Sequence, residues 1–170
     1  HKGRVIKVPA GLPVRPTTDF AKEGLFNILH NRFDIPSLRV LDLFSGTGHL
    51  SMEFASRGAS SVNSVDKDAR CVRFLTESAD QLQLSINTIR SDVFAYLRTC
   101  NTQYDLIFAD PPYDLPNFEE IHQLVFEKDL LSEGGTLIIE HGPRTSLDQL
   151  KGFRERRKYG NVNFSFFEKS

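Results

Sequence analysis

Cysteine is scarce: Cys71 and Cys100 are the only two in 170 residues. Neither has a second Cys or a His at metal-ligand spacing, which argues against a zinc site. A chain so poor in cysteine is no disulfide scaffold and suits a reducing, cytoplasmic setting. No apolar run approaches the roughly 20 residues that cross a bilayer, so no membrane association is expected. The N-terminus is basic, but no apolar segment follows it, and no signal peptide is expected. An excess of one charge is missing as well: 21 Lys and Arg stand against 22 Asp and Glu, a formal net charge of -1. That balance excludes a global basic field, so any nucleic-acid surface has to be a local patch. Internal repeats and low-complexity linkers are also absent.

What remains is ordinary for a soluble globular protein, 39% hydrophobic and 25% charged, at a length that encloses one real core. A single domain over 1–170 is expected, with a basic N-terminal arm (1–17), an N-terminal helix (18–33) and a core unit (38–170). The arm carries Lys2, Arg4, Lys7 and Arg15 with Pro9 and Pro13, and reads as extended chain or a short strand pair. Thr17, Thr18 and Asp19 are good cap residues, and Ala21, Leu25, Phe26, Ile28 and Leu29 recur at helical spacing. A helix therefore starts near Thr18 and stops before Pro36.

From Leu38 onward, short apolar runs alternate with amphipathic stretches. Strands are predicted over Arg39–Phe44, Ser61–Val65, Asn87–Ser91, Tyr104–Ala109 and Gly135–Glu140, the last after a Gly-Gly turn. Helices are predicted over His49–Arg57, Lys67–Gln81, from Val93 to Arg98, and over Phe118–Phe126. Phe153–Tyr159 and Val162–Phe167 flank Gly160-Asn161 and read as an antiparallel hairpin. Such alternation means parallel βαβ units with right-handed crossovers. The expected fold is α/β, a mostly parallel sheet with an antiparallel C-terminal hairpin and helices on both faces. Open sheets of this kind bind ligands beyond the carboxyl ends of their strands.

Each chemically suggestive motif falls at such an end. Asp42-Leu43-Phe44-Ser45-Gly46-Thr47-Gly48 ends the first strand in a glycine-rich turn that lets the backbone approach a ligand. A tight strand-to-helix turn would look the same. Asp66 follows about 20 residues on, the offset of a carboxylate that holds ribose hydroxyls, although it also suits a helix cap before Lys67. These two features point to an adenosine-containing ligand without choosing between NAD and S-adenosylmethionine. Ser51 stands where a dinucleotide fingerprint has its third glycine, which weighs against a pyrophosphate. Asp92 ends the third strand; it can accept from an adenine amine beside the Val93 N–H, or cap a helix.

Asp110-Pro111-Pro112-Tyr113, after the fourth strand, decides the chemistry. An exocyclic base amine is a poor nucleophile because its lone pair is delocalised into the ring. Two acceptors aimed at its hydrogens, the Asp110 carboxylate and the Pro111 carbonyl, localise that lone pair toward a methyl donor. Proline offers no competing N–H and stiffens the loop. Tyr113 presents a flat face to an extruded base.

Together these residues resemble the class I S-adenosylmethionine-dependent methyltransferases that act on amino groups. Arg15-Pro16-Thr17-Thr18-Asp19, followed by Lys22-Glu23-Gly24-Leu25-Phe26-Asn27-Ile28-Leu29, resembles the N-terminal signature of the RsmD-like family, the bacterial 16S rRNA guanine-N2 methyltransferases; Lys2-Gly3-Arg4 is similar to that family's start. The match runs from about Lys2 to Glu140, and the closing hairpin matches only in kind. The resemblance implies a Rossmann-like fold with S-adenosylmethionine as cofactor and methylation of a guanine N2 amine in small-subunit ribosomal RNA, within a ribosomal particle. It implies that Phe44, Ser45, Gly46, Thr47 and Gly48 line the methionine part of the cofactor, that Asp66 holds its ribose, and that Asp42 and Lys67 also belong to the cofactor-binding set. Asp92 and Val93 would meet its adenine. Asp110, Pro111, Pro112 and Tyr113 would grip the guanine, while Arg15, Pro16, Thr17 and Thr18 cover the site and Lys2 and Arg4 meet RNA. Two positions depart from the family pattern. Gly24 replaces a more usual Ala or Asn, and His49, expected as an exposed first-turn residue, replaces a small one.

The second locally basic stretch, Arg144 to Lys158, contains Lys151, Arg154, Arg156 and Arg157. It reads equally as a phosphate-contacting patch or a solvated strand face. Nothing demands a dimer, and a monomer is expected. The competing readings are an amino methyltransferase for DNA adenine or cytosine or for a protein glutamine, an NAD-dependent oxidoreductase, and a non-catalytic RNA-binding assembly factor.

Overall fold

The computed structural model describes residues 18–169. The chain runs α1 (Asp19–Arg32), a 3-10 turn (Ile35–Ser37), β1 (Arg39–Leu43), α2 (His49–Ser56), β2 (Ser61–Asp66), α3 (Ala69–Gln81), β3 (Asn87–Arg90) and α4 (Val93–Thr99). It continues through β4 (Tyr104–Ala109), α5 (Glu119–Glu127), β5 (Leu131–His141), β6 (Phe153–Tyr159) and β7 (Val162–Glu168). The strands form one sheet in the order β3-β2-β1-β4-β5-β7-β6. The first five are mutually parallel; β7 runs antiparallel to β5, and β6 antiparallel to β7. This is the expected mostly parallel sheet with its antiparallel C-terminal hairpin. The direction of winding reverses between β1 and β4, which opens a crevice beyond their carboxyl ends.

Alternation along the strands divides the core in two. Val40, Leu106, Phe108, Ile138, Phe164 and Phe166 meet α1 and α2 on one face. Leu41, Leu43, Ile107, Leu137, Ile139 and Phe167 meet α4 and α5 on the other. Asp42 shares the parity of Val40, so its carboxylate is driven beneath α2 and not into water.

Several boundaries differ from the sequence expectation. Helix α1 ends at Arg32 because Phe33 turns extended (φ -130, ψ 150) while its N–H still reaches the Leu29 carbonyl. Helix α3 begins at Ala69, not Lys67, since Asp68 is the cap: its carboxylate accepts from the Arg70 and Cys71 N–H groups. Strand β5 starts at Leu131, before the Gly-Gly pair. Leu131 pairs with Tyr104 and Thr136 with Leu106, so the segment between is a bulge inside one strand. A Cβ on Gly135 would come within 2.8 Å of the Ser132 carbonyl oxygen, and Gly134 sits at φ +75, so both glycines belong to the bulge. The expected arm, with Lys2, Arg4, Arg15, Pro16 and Thr17, lies outside the described residues.

Gly24 has a packing reason. A Cβ there would lie 2.2 Å from Tyr159, whose ring rests on α1. The helix accepts glycine's cost of about 1 kcal/mol relative to alanine and gains close approach to β6.

Candidate active site

Backbone hydrogen bonds stitch the strand ends into one rim. The Asp110 N–H donates to the Leu43 carbonyl (3.4 Å), Ser45 to Val65 (3.1 Å), and Ser91 to Asp66 (3.0 Å). Along this rim the predicted site residues follow one another as Asp92, Asp66, the Phe44–Gly48 turn and Asp110. With neighbouring strands about 4.8 Å apart, the span from β3 to β4 is roughly 14 Å, the scale of an extended nucleoside.

The glycine-rich turn is set by backbone conformation. Phe44 (φ +58), Gly46 (φ +55) and Gly48 (φ +86) are all left-handed, and a Cβ on Gly48 would strike Leu75 of α3 at 2.3 Å. The Phe44 ring meets Phe94 edge-on at 6.4 Å, which walls the crevice near α4. Thr47 is buried, and Ser45 is half-buried at the mouth. Below the turn, the buried Asp42 accepts from the Ser51 hydroxyl at 2.6 Å, and Ser51 also bonds Ser64. Burial pushes the Asp42 carboxyl up to about 7, against the Ser51 hydrogen bond, with the Asp66 and Glu140 charges adding to the rise. Asp42 therefore braces the turn from beneath and does not face the crevice. Ser51, where a dinucleotide site has glycine, is part of that brace.

Asp66 accepts from the Gly46 N–H on Oδ2 (2.8 Å) and from the Asp68 N–H on Oδ1 (2.9 Å). Because Asp68 caps α3, Asp66 is not that cap, and each of its oxygens keeps a further lone pair for a ligand hydroxyl. Lys67 is exposed beside it. Asp92 caps α4, its Oδ1 accepting from the Ala95 N–H at 3.0 Å; the side chain is exposed and Val93 is buried. Thr18, the one described residue of the expected covering segment, caps α1 by accepting from the Ala21 N–H at 3.2 Å.

Pro111 is buried, and the Leu115 N–H closes a turn on the Pro112 carbonyl at 3.1 Å. That turn displays Tyr113, 55% exposed. A cavity of about 250 Å³ opens beside it, bounded by Pro111, Pro112, Tyr113 and Phe118 on one side and by residues 140–145 on the other. A Cβ on Gly142 would sit at ordinary contact distance, 3.8 Å, from the Tyr113 ring, so the segment after β5 passes close to the tyrosine.

The sequence reading placed Glu140 at a strand end and Arg144 in a basic stretch, but assigned neither these nor their neighbours in 140–145 to the cavity. Glu140 and His141 are buried at the end of β5; Arg144 is exposed at the cavity mouth. The His141 Nδ1–H donates to the Gly142 carbonyl (3.0 Å), Nε2 accepts from Ser165 (2.7 Å), and burial holds the ring toward neutrality. The usable signal was positional: a fifth parallel strand beside β4 must add its own end to the rim. His49 also differs from expectation. It is half-buried near Lys22 and Asp19, and burial with the Lys22 charge lowers its basicity. The cations of β6 are largely paired, Arg154 with Glu168, Arg156 with Asp148 and Arg157 with Glu155, which favours the solvated-face reading for most of that stretch.

Residues 1–168 match the model of the family described as "Conserved hypothetical protein 95". The chain belongs to this family. It is 32% identical over 99% of its length to "Putative rRNA methyltransferase YlbH" of Bacillus subtilis, covering 95% of that relative. It is 29% identical over 82% of its length to "Ribosomal RNA small subunit methyltransferase D" of Escherichia coli K12, covering 70% of it. Among solved structures it resembles the T. thermophilus 16S rRNA N2 G1207 methyltransferase RsmC in complex with AdoMet and guanosine. That likeness has a TM-score of 0.75 and 25% identity, over 94% of this chain and 46% of that one. Relatives of the family and the shared sheet agree on class I methyltransferase architecture.

Proposed function

We propose that the protein transfers the methyl group of S-adenosylmethionine to the exocyclic N2 amine of a guanine in small-subunit ribosomal RNA, within a ribosomal particle. The observation that carries this reading is the hydrogen bond from the Asp110 N–H to the Leu43 carbonyl. It seats the Asp-Pro-Pro-Tyr loop directly against the glycine-rich turn. The names of the E. coli and T. thermophilus proteins support ribosomal RNA as the substrate class, and that of the latter supports guanine N2.

The donor set fits the cofactor. Asp66 has acceptor capacity at the mouth of the turn, Asp92 offers a second carboxylate one strand further along, and Phe44 with Phe94 gives an apolar contact beside them. Bound there, S-adenosylmethionine supplies an electrophilic methyl group on a sulfonium. Asp66 holds ribose hydroxyls, Asp92 accepts from the adenine amine, and the left-handed turn brings backbone, not side chain, against the ligand. Across the crevice, Tyr113 stacks the base, and the Asp110 carboxylate and Pro111 carbonyl accept the two amine hydrogens. Asp110 would take up the proton that the amine loses as its N–C bond forms and the methyl–sulfur bond breaks, with S-adenosylhomocysteine as the leaving group. Most of the rate gain is alignment, with no covalent enzyme intermediate.

The direct test is mass-spectrometric mapping of methyl groups on small-subunit RNA, free and in particles, treated with the protein and S-adenosylmethionine. N2-methylguanine at a defined position is expected. Methyl transfer confined to adenine, cytosine, DNA or protein would overturn the substrate assignment.

A further inference from the structure

A second cavity, about 440 Å³, lies between α1 and β6. Phe20, Glu23, Asn27, Asn31 and Arg32 line it from the helix, and Arg157 and Tyr159 from the strand. Several features mark it as built. Phe20 is 65% exposed, although it meets the Tyr159 ring edge-on at 5.6 Å. Tyr159 can lie against the helix only because position 24 lacks a Cβ. Glu155 pairs with both Arg32 of the helix and Arg157 of the strand, so one carboxylate holds the two guanidinium groups near each other. Each guanidinium has five N–H donors, so one carboxylate leaves most of them for other acceptors.

The groove opens toward the candidate active site. Tyr159 pairs with Val162, next to the Asn163 that pairs with His141, so the Phe20–Tyr159 end lies at the carboxyl edge of β5. Along the sheet, two strand spacings, about 10 Å, separate it from the end of β5 that borders the cavity beside Tyr113. Phe20 and Tyr113 are the two exposed large hydrophobic side chains among the described residues.

We propose that the α1–β6 groove holds single-stranded RNA flanking the target nucleotide, with Phe20 as a stacking platform and Arg157 on a phosphate. This rests on the reading of RNA as substrate. An exposed ring beside anchored cations suits an unpaired strand: bases take the aromatic face, the backbone takes the guanidinium, and amides such as Asn27 and Asn31 reach base edges or sugar hydroxyls. The arginines fix position on the strand without reading its sequence.

The test measures binding of a labelled, protein-free small-subunit RNA fragment to the protein saturated with S-adenosylhomocysteine, over a range of salt. Phe20→Ala and Arg157→Ala are each expected to weaken RNA binding about tenfold while leaving S-adenosylhomocysteine affinity unchanged, which also reports an intact fold. Phe20→Trp should retain binding, and Arg157→Ala should reduce the salt slope by about one. Unchanged RNA affinity in both alanine variants overturns the groove assignment. So does a defect seen only on particles that carry ribosomal protein, which would make the occupant a protein. A wild-type protein that binds S-adenosylhomocysteine but neither binds nor methylates RNA, free or in ribosomal particles, brings down the functional reading and this inference together.

Discussion

A carboxylate with almost no access to water governs the crevice at the scale of single residues. Asp42 is 2% exposed, and burial raises its carboxyl from 3.8 to about 7. The shift corresponds to on the order of a few kcal/mol. Its folded value lies above the unfolded one, so the protonated form's contribution to stability is complete below pH 3.8 and is lost as pH rises through about 7. Asp42→Asn keeps an oxygen for the Ser51 hydroxyl and never ionises. Its melting temperature should fall less than the wild type's between pH 4 and 8, as thermal denaturation across that range will show. Two further substitutions separate chemistry from binding. Asp110→Ala should lower kcat about 100-fold or more while sparing S-adenosylhomocysteine affinity by calorimetry. Asp66→Ala should first weaken that affinity; full turnover in both would sink the site assignment. The rim positions of Asp66 and Asp110 were legible in sequence because each stands at the end of a strand with a clear local pattern. Glu140 to Thr145 were not, because their place on the rim depends on β5 lying beside β4, a long-range pairing without a local mark.

Elements begin and end where caps and close contacts dictate. Asp68→Ala removes the acceptor for the Arg70 and Cys71 N–H groups and should cost about 1 kcal/mol in chemical denaturation, with β2 and Asp66 left in place. Gly24→Ala sets helix propensity against packing. Propensity favours alanine, but the 2.2 Å approach to Tyr159 makes the substitution destabilising, by about 1–3 kcal/mol as overpacking usually is. Combining it with Tyr159→Ala should recover much of that loss, a coupling that a double-mutant cycle measures. Nothing in the local sequence announces the contact, since position 24 and position 159 meet only in the folded sheet. The Lys67 start expected for α3 failed for a local reason, because Asp68 is the better cap. The Gly135 start expected for β5 failed because a Gly-Gly pair reads as a turn although here it is a bulge within one strand.

Across the whole molecule, the hairpin is structural and not an appendage. Strand β7 lies between β5 and β6, and Phe164, Phe166 and Phe167 are buried on its two faces. Phe164→Ala should cost about 3–5 kcal/mol, and urea unfolding should remain one transition whether followed at the hairpin or at the parallel strands. The alternation of strands and helices made the parallel part readable. That β7 is the inner strand had a signal too, in the contrast between its apolar run and the charged Phe153–Tyr159 segment. The inner position of β7 also sets a timetable for a chain made from its N-terminus. When β6 has emerged, it has no strand to pair with, and β5 stands with a bare margin until the residues after Gly160 arrive. A ribosome that stalls just short of them would hold a protein whose rim is written in full but whose two layers are both open on one side.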